Sequence, residues 1–253
     1  MTTWGMVIDL EKCTGCQSCT TACSMENSRL PAEKWQDVVY YVEGEYPSGR
    51  MSWFPRPCMH CENASCMDVC PTRATYQTKD GFVLIDWNKC IGCKYCMIAC
   101  PYGVRFFTDE KPEVAPDLRV VFASTGKRSW DPPYRMPDDQ EDWSKGVGIQ
   151  PRGVVSKCTF CYHRVSKAPA GVADLDPDDP ELRPFVPACV VTCPPTARYF
   201  GDLDNPSSRV RQLIAEKRGG RLLDHTGNKP HVYYLTGDSV GVPSSRAAVT
   251  RES

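Results

Sequence analysis

No stretch of this chain approaches the roughly 18 consecutive apolar residues that a membrane-crossing helix needs, so no transmembrane helix is expected. Charge of one sign is missing too: 30 Lys and Arg stand against 31 Asp and Glu, a formal net charge of −1. That balance leaves no electrostatic footprint for nucleic acid. Histidine is scarce, with four in 253 residues, which gives a catalytic thiol few partners. The start, Met1-Thr2-Thr3-Trp4-Gly5, has no basic segment, apolar run or cleavage site, and no twin-arginine pair precedes the first motif. No export signal is therefore expected.

What is abundant is cysteine, 16 residues, about 6% of the chain. A long chain without an export signal points to metal ligands before disulfides. The cysteines fall into four groups of four with none left over. They are Cys13, Cys16, Cys19 and Cys23; Cys58, Cys61, Cys66 and Cys70; Cys90, Cys93, Cys96 and Cys100; and Cys158, Cys161, Cys189 and Cys193. Proline follows Cys70, Cys100 and Cys193.

The groups repeat. VIDLEKCTGCQSCTTAC (7–23) matches LIDWNKCIGCKYCMIAC (84–100) at nine of 17 positions. SCMDVCPTRA (65–74) resembles ACVVTCPPTA (188–197), and a duplicated two-cluster unit is the simplest account.

A CxxCxxC run wraps a tight loop around one 4Fe–4S cube and supplies three thiolates. The next cysteine, expected on the first turn of a helix, points to a neighbouring cube. Gly15 and Gly92 are expected to let the backbone approach the sulfurs. Structural zinc pairs two CxxC units across a spacer and leaves the third and fourth cysteines at fixed offsets unexplained. Cysteines three apart bridge poorly as disulfides. His60, inside CMHC, is read as a spacer because every group already has four cysteines. Lys12 and Lys89 are candidates for tuning potential by charge. Trp87, Tyr95, Phe160 and Tyr162 are read as shields around the cysteines. Trp130 and Trp143 are read either as anchors for a partner or as packing residues.

Between the motifs, Ala74–Gln77 and Phe82–Asp86 flank Lys79-Asp80-Gly81 and read as a β-hairpin. Val7–Leu10 and His231–Thr236 read as strands. Ser208–Arg218 reads as a helix capped by Ser207 or Ser208 and stopped by Gly219, with Val210, Leu213 and Ile214 on one face. Residues 109–156 read as a long inserted loop, 168–187 as an exposed excursion, and 238–253 as a loose tail.

On the motifs CTGCQSCTTACSMEN, CMHCENASCMDVCPTRA, DGFVLIDWNKCIGCKYCMIACPYGVR and KCTFCYHR…ACVVTCPPTARYFGDL, the chain resembles the four-cluster iron–sulfur subunit of the dimethyl-sulfoxide-reductase family of molybdenum or tungsten enzymes. The resemblance spans roughly residues 4–237. It implies an α+β fold of two interlocked bacterial-ferredoxin-like modules with long loop insertions. One module is 50–108, the other 1–49 plus 157–204, with an insert at 109–156 and a C-terminal extension at 205–253. It implies four 4Fe–4S clusters with crossed ligands. Cys13, Cys16 and Cys19 join Cys193; Cys158, Cys161 and Cys189 join Cys23; Cys58, Cys61 and Cys66 join Cys100; Cys90, Cys93 and Cys96 join Cys70. No cysteine is replaced by tryptophan, as happens in relatives with a 3Fe–4S cluster.

The implied function is non-catalytic transfer of single electrons between a molybdopterin catalytic subunit and a quinone-reactive membrane subunit. Neither nucleic acid nor a small-molecule substrate is an expected partner. The expected place is the cytoplasmic membrane, reached through partner subunits, on either face. A free polyferredoxin, or a subunit of a hydrogenase or formate dehydrogenase complex, is the alternative.

Overall fold

Residues 4–9, WGMVID, are buried at every position, which marks them as a strand covered on both faces. In the computed structural model, which describes residues 2–27, 29, 34–108, 142–148 and 150–236, this segment is strand β1 (Trp4–Asp9). Nine further strands follow among the described residues: β2 (Asp37–Glu43), β3 (Arg50–Arg56), β4 (Thr75–Gln77), β5 (Val83–Ile85), β6 (Phe106–Phe107), β7 (Val155–Ser156), β8 (Arg198–Asp202), β9 (Gly220–Arg221) and β10 (Val232–Leu235). The α-helices are α1 (Ser18–Glu26), α2 (Ser65–Asp68), α3 (Tyr95–Ile98), α4 (Tyr162–Val165), α5 (Ala188–Val191) and α6 (Arg209–Glu216). Mixed helix and strand content agrees with the α+β expectation.

The main sheet has the order β8-β1-β10-β9. β1 runs parallel to β10, pairing Met6 with Val232 and Ile8 with Tyr234, and antiparallel to β8, pairing Met6 with Phe200. Residues 209–236 contribute α6, β9 and β10, the last of which lies beside the first strand. Met6, Ile8, Phe200 and Tyr234 face the larger core shared with the cysteines. Val7, Tyr233 and Leu235 face the other way, against Val210 and Leu213 of α6.

The expected hairpin is present as β4 paired with β5, and Gly81 takes φ +81 in the turn. Helix α6 starts where Ser208 Oγ accepts the Arg211 N–H. Its stop differs from expectation. Arg218, not Gly219, adopts the left-handed conformation, and the Gly219 N–H returns to the Ile214 carbonyl at 2.9 Å. A Cβ at 219 would press on the Leu235 side chain at 3.1 Å, which Leu235 would have to relieve by a small shift.

The 109–156 region is not loop throughout. Its described end, 142–148 and 150–156, folds back on the cysteine modules. Val147, Val154 and Val155 are buried, and β7 pairs with β6. Arg29 lies over the Trp35 ring and bonds Gln150 and the Gly148 carbonyl, tying the first motif to this return. Trp143 is partly exposed, while Trp130 and the 238–253 tail lie outside the described residues. Segment 168–187 is exposed at fewer than half of its positions and half-buried at most others, and it is pinned by buried Leu175, Val186 and Pro187. The β2–β3 hairpin has no counterpart among the expected elements.

Candidate metal centre

The cysteine loops are built from left-handed turns placed alike in each repeat. Gly15 and Gly92 both sit at φ +67, and Gln17 and Lys94 follow at φ 61 and 62. Glycine is dictated by this conformation and by packing more than by approach to sulfur. A Cβ would lie 2.2 Å from the Trp53 ring at position 15 and 2.1 Å from the Gly153 carbonyl at position 92. After each Cys-Pro pair a second turn recurs, with Arg73, Gly103 and Thr196 left-handed three residues past Cys70, Cys100 and Cys193. That turn aims the next amide at the sulfur: Ala197 N–H donates to Cys193 Sγ at 3.3 Å, and Ala74 N–H does the same for Cys70.

The helices fall differently from expectation. Cys19, Cys66, Cys96 and Cys189, the third cysteine of each group, lie within α1, α2, α3 and α5, whereas Cys70, Cys100 and Cys193 follow the helix end. Of these four helices, α1 alone runs on through its fourth cysteine, Cys23, whose carbonyl and sulfur both accept from the Asn27 amide. The helices pack in pairs, α1 on α5 and α2 on α3, as a duplication would arrange them.

The sulfurs assemble across the sequence. Cys13, Cys16, Cys19 and Cys193 line one hollow, together with Ile8, Val38 and Pro194. Cys70, Cys90, Cys93 and Cys96 line another, with Ile85 and Val155. Cys23 sits in full burial, which pushes its thiol up, and the like charges of Cys158, Cys161 and Cys189 push it further. Burial raises Cys61 likewise, and Cys58, Cys66 and Cys100 add to it.

These four sets stand in a row. Cys189 is in electrostatic reach of Cys19 and Cys193, and Cys158, pushed up to about 12 by burial and then by Cys189 and Cys58, connects the two modules. The ends of the row reach the surface at Cys16 and Cys93, while Cys23, Cys158, Cys161 and Cys189 are all buried. Around Cys93, Ile91, Tyr95 and Ile98 project into solvent. Tyr95 is therefore no shield, whereas Phe160 and Trp87 are buried.

No disulfide joins any of the sixteen cysteines. Among the described residues no three His, Cys, Asp or Glu side chains converge closely enough for a single metal ion. Sulfurs gathered in fours suit an iron–sulfur cube, which takes four thiolates. Cys23, Cys61, Cys158 and Cys161, which burial and then neighbouring cysteines keep protonated, need a strongly cationic guest to ionise together.

The neighbours that matter most are not Lys12 and Lys89. Arg105 donates from Nη2 to Cys66 Sγ at 2.8 Å and also bonds the Cys96 sulfur. Arg198 donates from Nη2 to Cys19 Sγ at 3.3 Å and also bonds Cys189. Lys157 is fully buried and donates to the carbonyls of Val83 and Cys158. By contrast, Lys12 donates to the Tyr199 hydroxyl at 2.6 Å and Lys89 pairs with Asp86 at 3.1 Å, both away from sulfur. The sequence does carry a signal for the arginines: Arg105 and Arg198 each lie five residues past a Cys-Pro cysteine, in CPYGVR and CPPTAR. His60 is fully buried. Its Nδ1 accepts the Val83 N–H at 3.1 Å, so Nε2 donates to the Cys158 carbonyl at 3.0 Å.

Glu26 joins α1 to α4. One carboxylate oxygen accepts from His163 Nε2 at 2.7 Å and the other from Arg164 Nη2 at 2.6 Å. Burial raises this carboxyl, but the bonds from His163 and Arg164 outweigh it and hold the group at about 2. Because the folded value is depressed, its contribution to stability is present above the ordinary carboxylate range and fades as pH falls through about 4.5 toward 2. Glu26→Gln should cost roughly 2–3 kcal/mol at pH 7. Paired thermal melts should show the gap to wild type narrowing below about pH 4.5; a gap independent of pH would refute the ion-pair account.

Comparison with known proteins agrees with these sites. A family model described as a 4Fe–4S dicluster domain matches residues 49–116, and a 4Fe–4S binding domain matches 4–25. The chain is 41% identical to the putative dimethyl sulfoxide reductase iron–sulfur subunit of Halobacterium salinarum, over 94% of this chain and 80% of that one. It is 39% identical to a selenate reductase subunit of Mesobacillus selenatarsenatis, covering 92% and 72%. It is 37% identical to the iron–sulfur cluster-binding subunit of menaquinone reductase of Nitratidesulfovibrio vulgaris, covering 92% and 88%. Together with the cysteine pattern, these likenesses place the chain in the family of iron–sulfur subunits of dimethyl-sulfoxide-reductase-type enzyme complexes.

Proposed function

We propose that this chain is the electron wire of a respiratory oxidoreductase, holding four 4Fe–4S clusters between a molybdopterin catalytic subunit and a quinone-reactive membrane subunit. When bound, each cluster takes up and releases one electron at a time. The chain holds the sulfurs, excludes water and sets the electrostatics. The ligand sets are the crossed ones, Cys13, Cys16, Cys19 with Cys193; Cys158, Cys161, Cys189 with Cys23; Cys58, Cys61, Cys66 with Cys100; and Cys90, Cys93, Cys96 with Cys70. On this pairing the two ferredoxin-like modules interlock, one of them closing only when β1 and β8 meet.

The observation that carries the reading is the row of sulfur sets with exposed ends at Cys16 and Cys93 and, between them, the fully buried set of Cys23, Cys158, Cys161 and Cys189 and the half-buried set around Cys58. A wire needs two accessible termini and a dry interior. The chain does no substrate chemistry in this reading. The quinone side draws support from the menaquinone reductase relative. Among the described residues no helix is long and apolar enough to cross a membrane, so a partner would supply the anchor. The apolar side chains around Cys93 favour a docked subunit over a free carrier.

Anaerobic purification of the complex tests this. About sixteen irons per chain, reduced-cluster paramagnetic signals and a co-purifying molybdopterin subunit are expected. A colourless chain with little iron would end the proposal.

A further inference from the structure

Besides Arg29, which bonds Gln150 and the Gly148 carbonyl, three cations are buried in this core among groups that, within the described residues, offer them no carboxylate. Arg105 is 4% exposed, Arg198 and Lys157 2% each. The partners of Arg105 are Thr75 Oγ1 and cysteine sulfurs. Those of Arg198 are the Met6 and Cys19 sulfurs and Cys189. Those of Lys157 are the carbonyls of Val83 and Cys158. An uncompensated charge removed from water is strongly destabilising. Three of them together require a negative counterpart, and the cysteine sets are what they face.

Their placement is regular. Arg198 bonds Cys19 and Cys189, so it spans the first and second sets of the row. Lys157 precedes Cys158 and acts electrostatically on both Cys158 and Cys66, so it spans the second and third. Arg105 bonds Cys66 and Cys96, so it spans the third and fourth. There are three junctions and one buried cation at each. The two arginines occupy equivalent places in the duplicated modules, five residues past Cys100 and Cys193. The lysine has no such twin: Pro57 precedes Cys58. A single junction between modules needs only one.

Resting on the four-cluster reading, we propose that Arg198, Lys157 and Arg105 are positioning residues for electron transfer, one cation at each junction of the row. Each raises the reduction potential of the sites on both of its sides and weakens the repulsion between adjacent reduced sites. The physical cause is simple. An iron–sulfur site bears net negative charge that grows on reduction, so a fixed cation in a dry surrounding stabilises the reduced form more than the oxidised form. A shared cation shifts the potentials of both neighbours in the same direction.

The test is a redox titration of the intact complex followed by electron paramagnetic resonance, with signals assigned by cysteine substitution. Arg105→Gln should lower the two potentials associated with Cys66 and Cys96 by about tenfold or more in the reduction constant, about 59 mV for one electron, and leave the other two in place. Arg198→Gln should move the pair associated with Cys19 and Cys189. Lys157→Met should move those associated with Cys158 and Cys66. Arg105→Lys and Arg198→Lys keep the charge without the forked bonds and should recover most of the shift. Iron content is measured in every variant. Full iron with unmoved potentials, or no recovery in the lysine variants, overturns the cation proposal alone. If a glutamine variant does not load, the lysine variants and Lys157→Met decide. Wild-type protein lacking iron would instead overturn the four-cluster reading beneath it.

Discussion

Cys193→Ala is expected to abolish one paramagnetic signal and reduce bound iron by roughly a quarter, from about sixteen atoms toward twelve. The signal lost should be the one that Cys19→Ala also removes. It should not be the one that Cys189→Ala removes, although Cys189 is only four residues away and Cys19 is far off in sequence. Proximity along the chain and proximity in space give opposite answers here. Cys193 lines a hollow with Cys13, Cys16 and Cys19, and its sulfur accepts the Ala197 amide of the left-handed turn that follows it. Cys189 lies in α5, among Cys158, Cys161 and Cys23. Cys70→Ala should likewise match Cys96→Ala and not Cys66→Ala, since Cys70 lines the hollow of Cys90, Cys93 and Cys96. Should Cys193→Ala and Cys189→Ala erase the same signal, the crossed pairing is wrong. Loss of an end set also interrupts the row, so turnover that depends on electrons crossing the whole subunit should collapse while the catalytic subunit's own cofactor stays reducible by an artificial donor.

The cysteine spacing makes the grouping legible because ligand offsets are a short-range constraint. The β4–β5 hairpin and helix α6 are legible for the same reason: Asp80-Gly81 and Ser208 are local signals. What cannot be read is long-range. Nothing in VIDL announces that it will pair in parallel with VYYL more than two hundred residues later, because parallel pairing is set by what the intervening chain does. The β2–β3 hairpin does carry local signals, in Gly44, Pro47 and Gly49 between residues rich in Val and Tyr. Charge misleads more instructively. Lys12 and Lys89, adjacent to the motifs, look like tuning residues in the sequence, yet their partners are the Tyr199 hydroxyl and the Asp86 carboxylate, not sulfur. The cations that reach sulfur lie at offsets that become meaningful only once the turn after each Cys-Pro pair is known to fold the chain back.

His60→Ala is expected to lower the melting temperature of the loaded protein by about 10 °C, corresponding to roughly 3–5 kcal/mol. The sequence offers His60 as a spacer; in packing it fastens the Val83 strand to Cys158. Its ring stacks on Phe160 at 3.8 Å and meets the Phe82 ring edge-on at 6.0 Å. It bonds the Val83 amide on one side and the Cys158 carbonyl on the other. Alanine would leave that buried amide without an acceptor and open a cavity beside Lys157. Burial is the main cause that holds the imidazole well below its ordinary titration range, with the Lys157 charge next. The folded ring thus stays neutral while the unfolded one takes a proton below about pH 6.5. Stability from His60 is therefore fully present above that value and declines as pH falls through it. The difference between wild type and His60→Ala should be constant from about pH 7 upward and shrink below about pH 6.5, read as the temperature at which visible cluster absorbance is lost. A difference that widened on acidification would mean the buried ring carries charge, contrary to the bond it accepts from Val83.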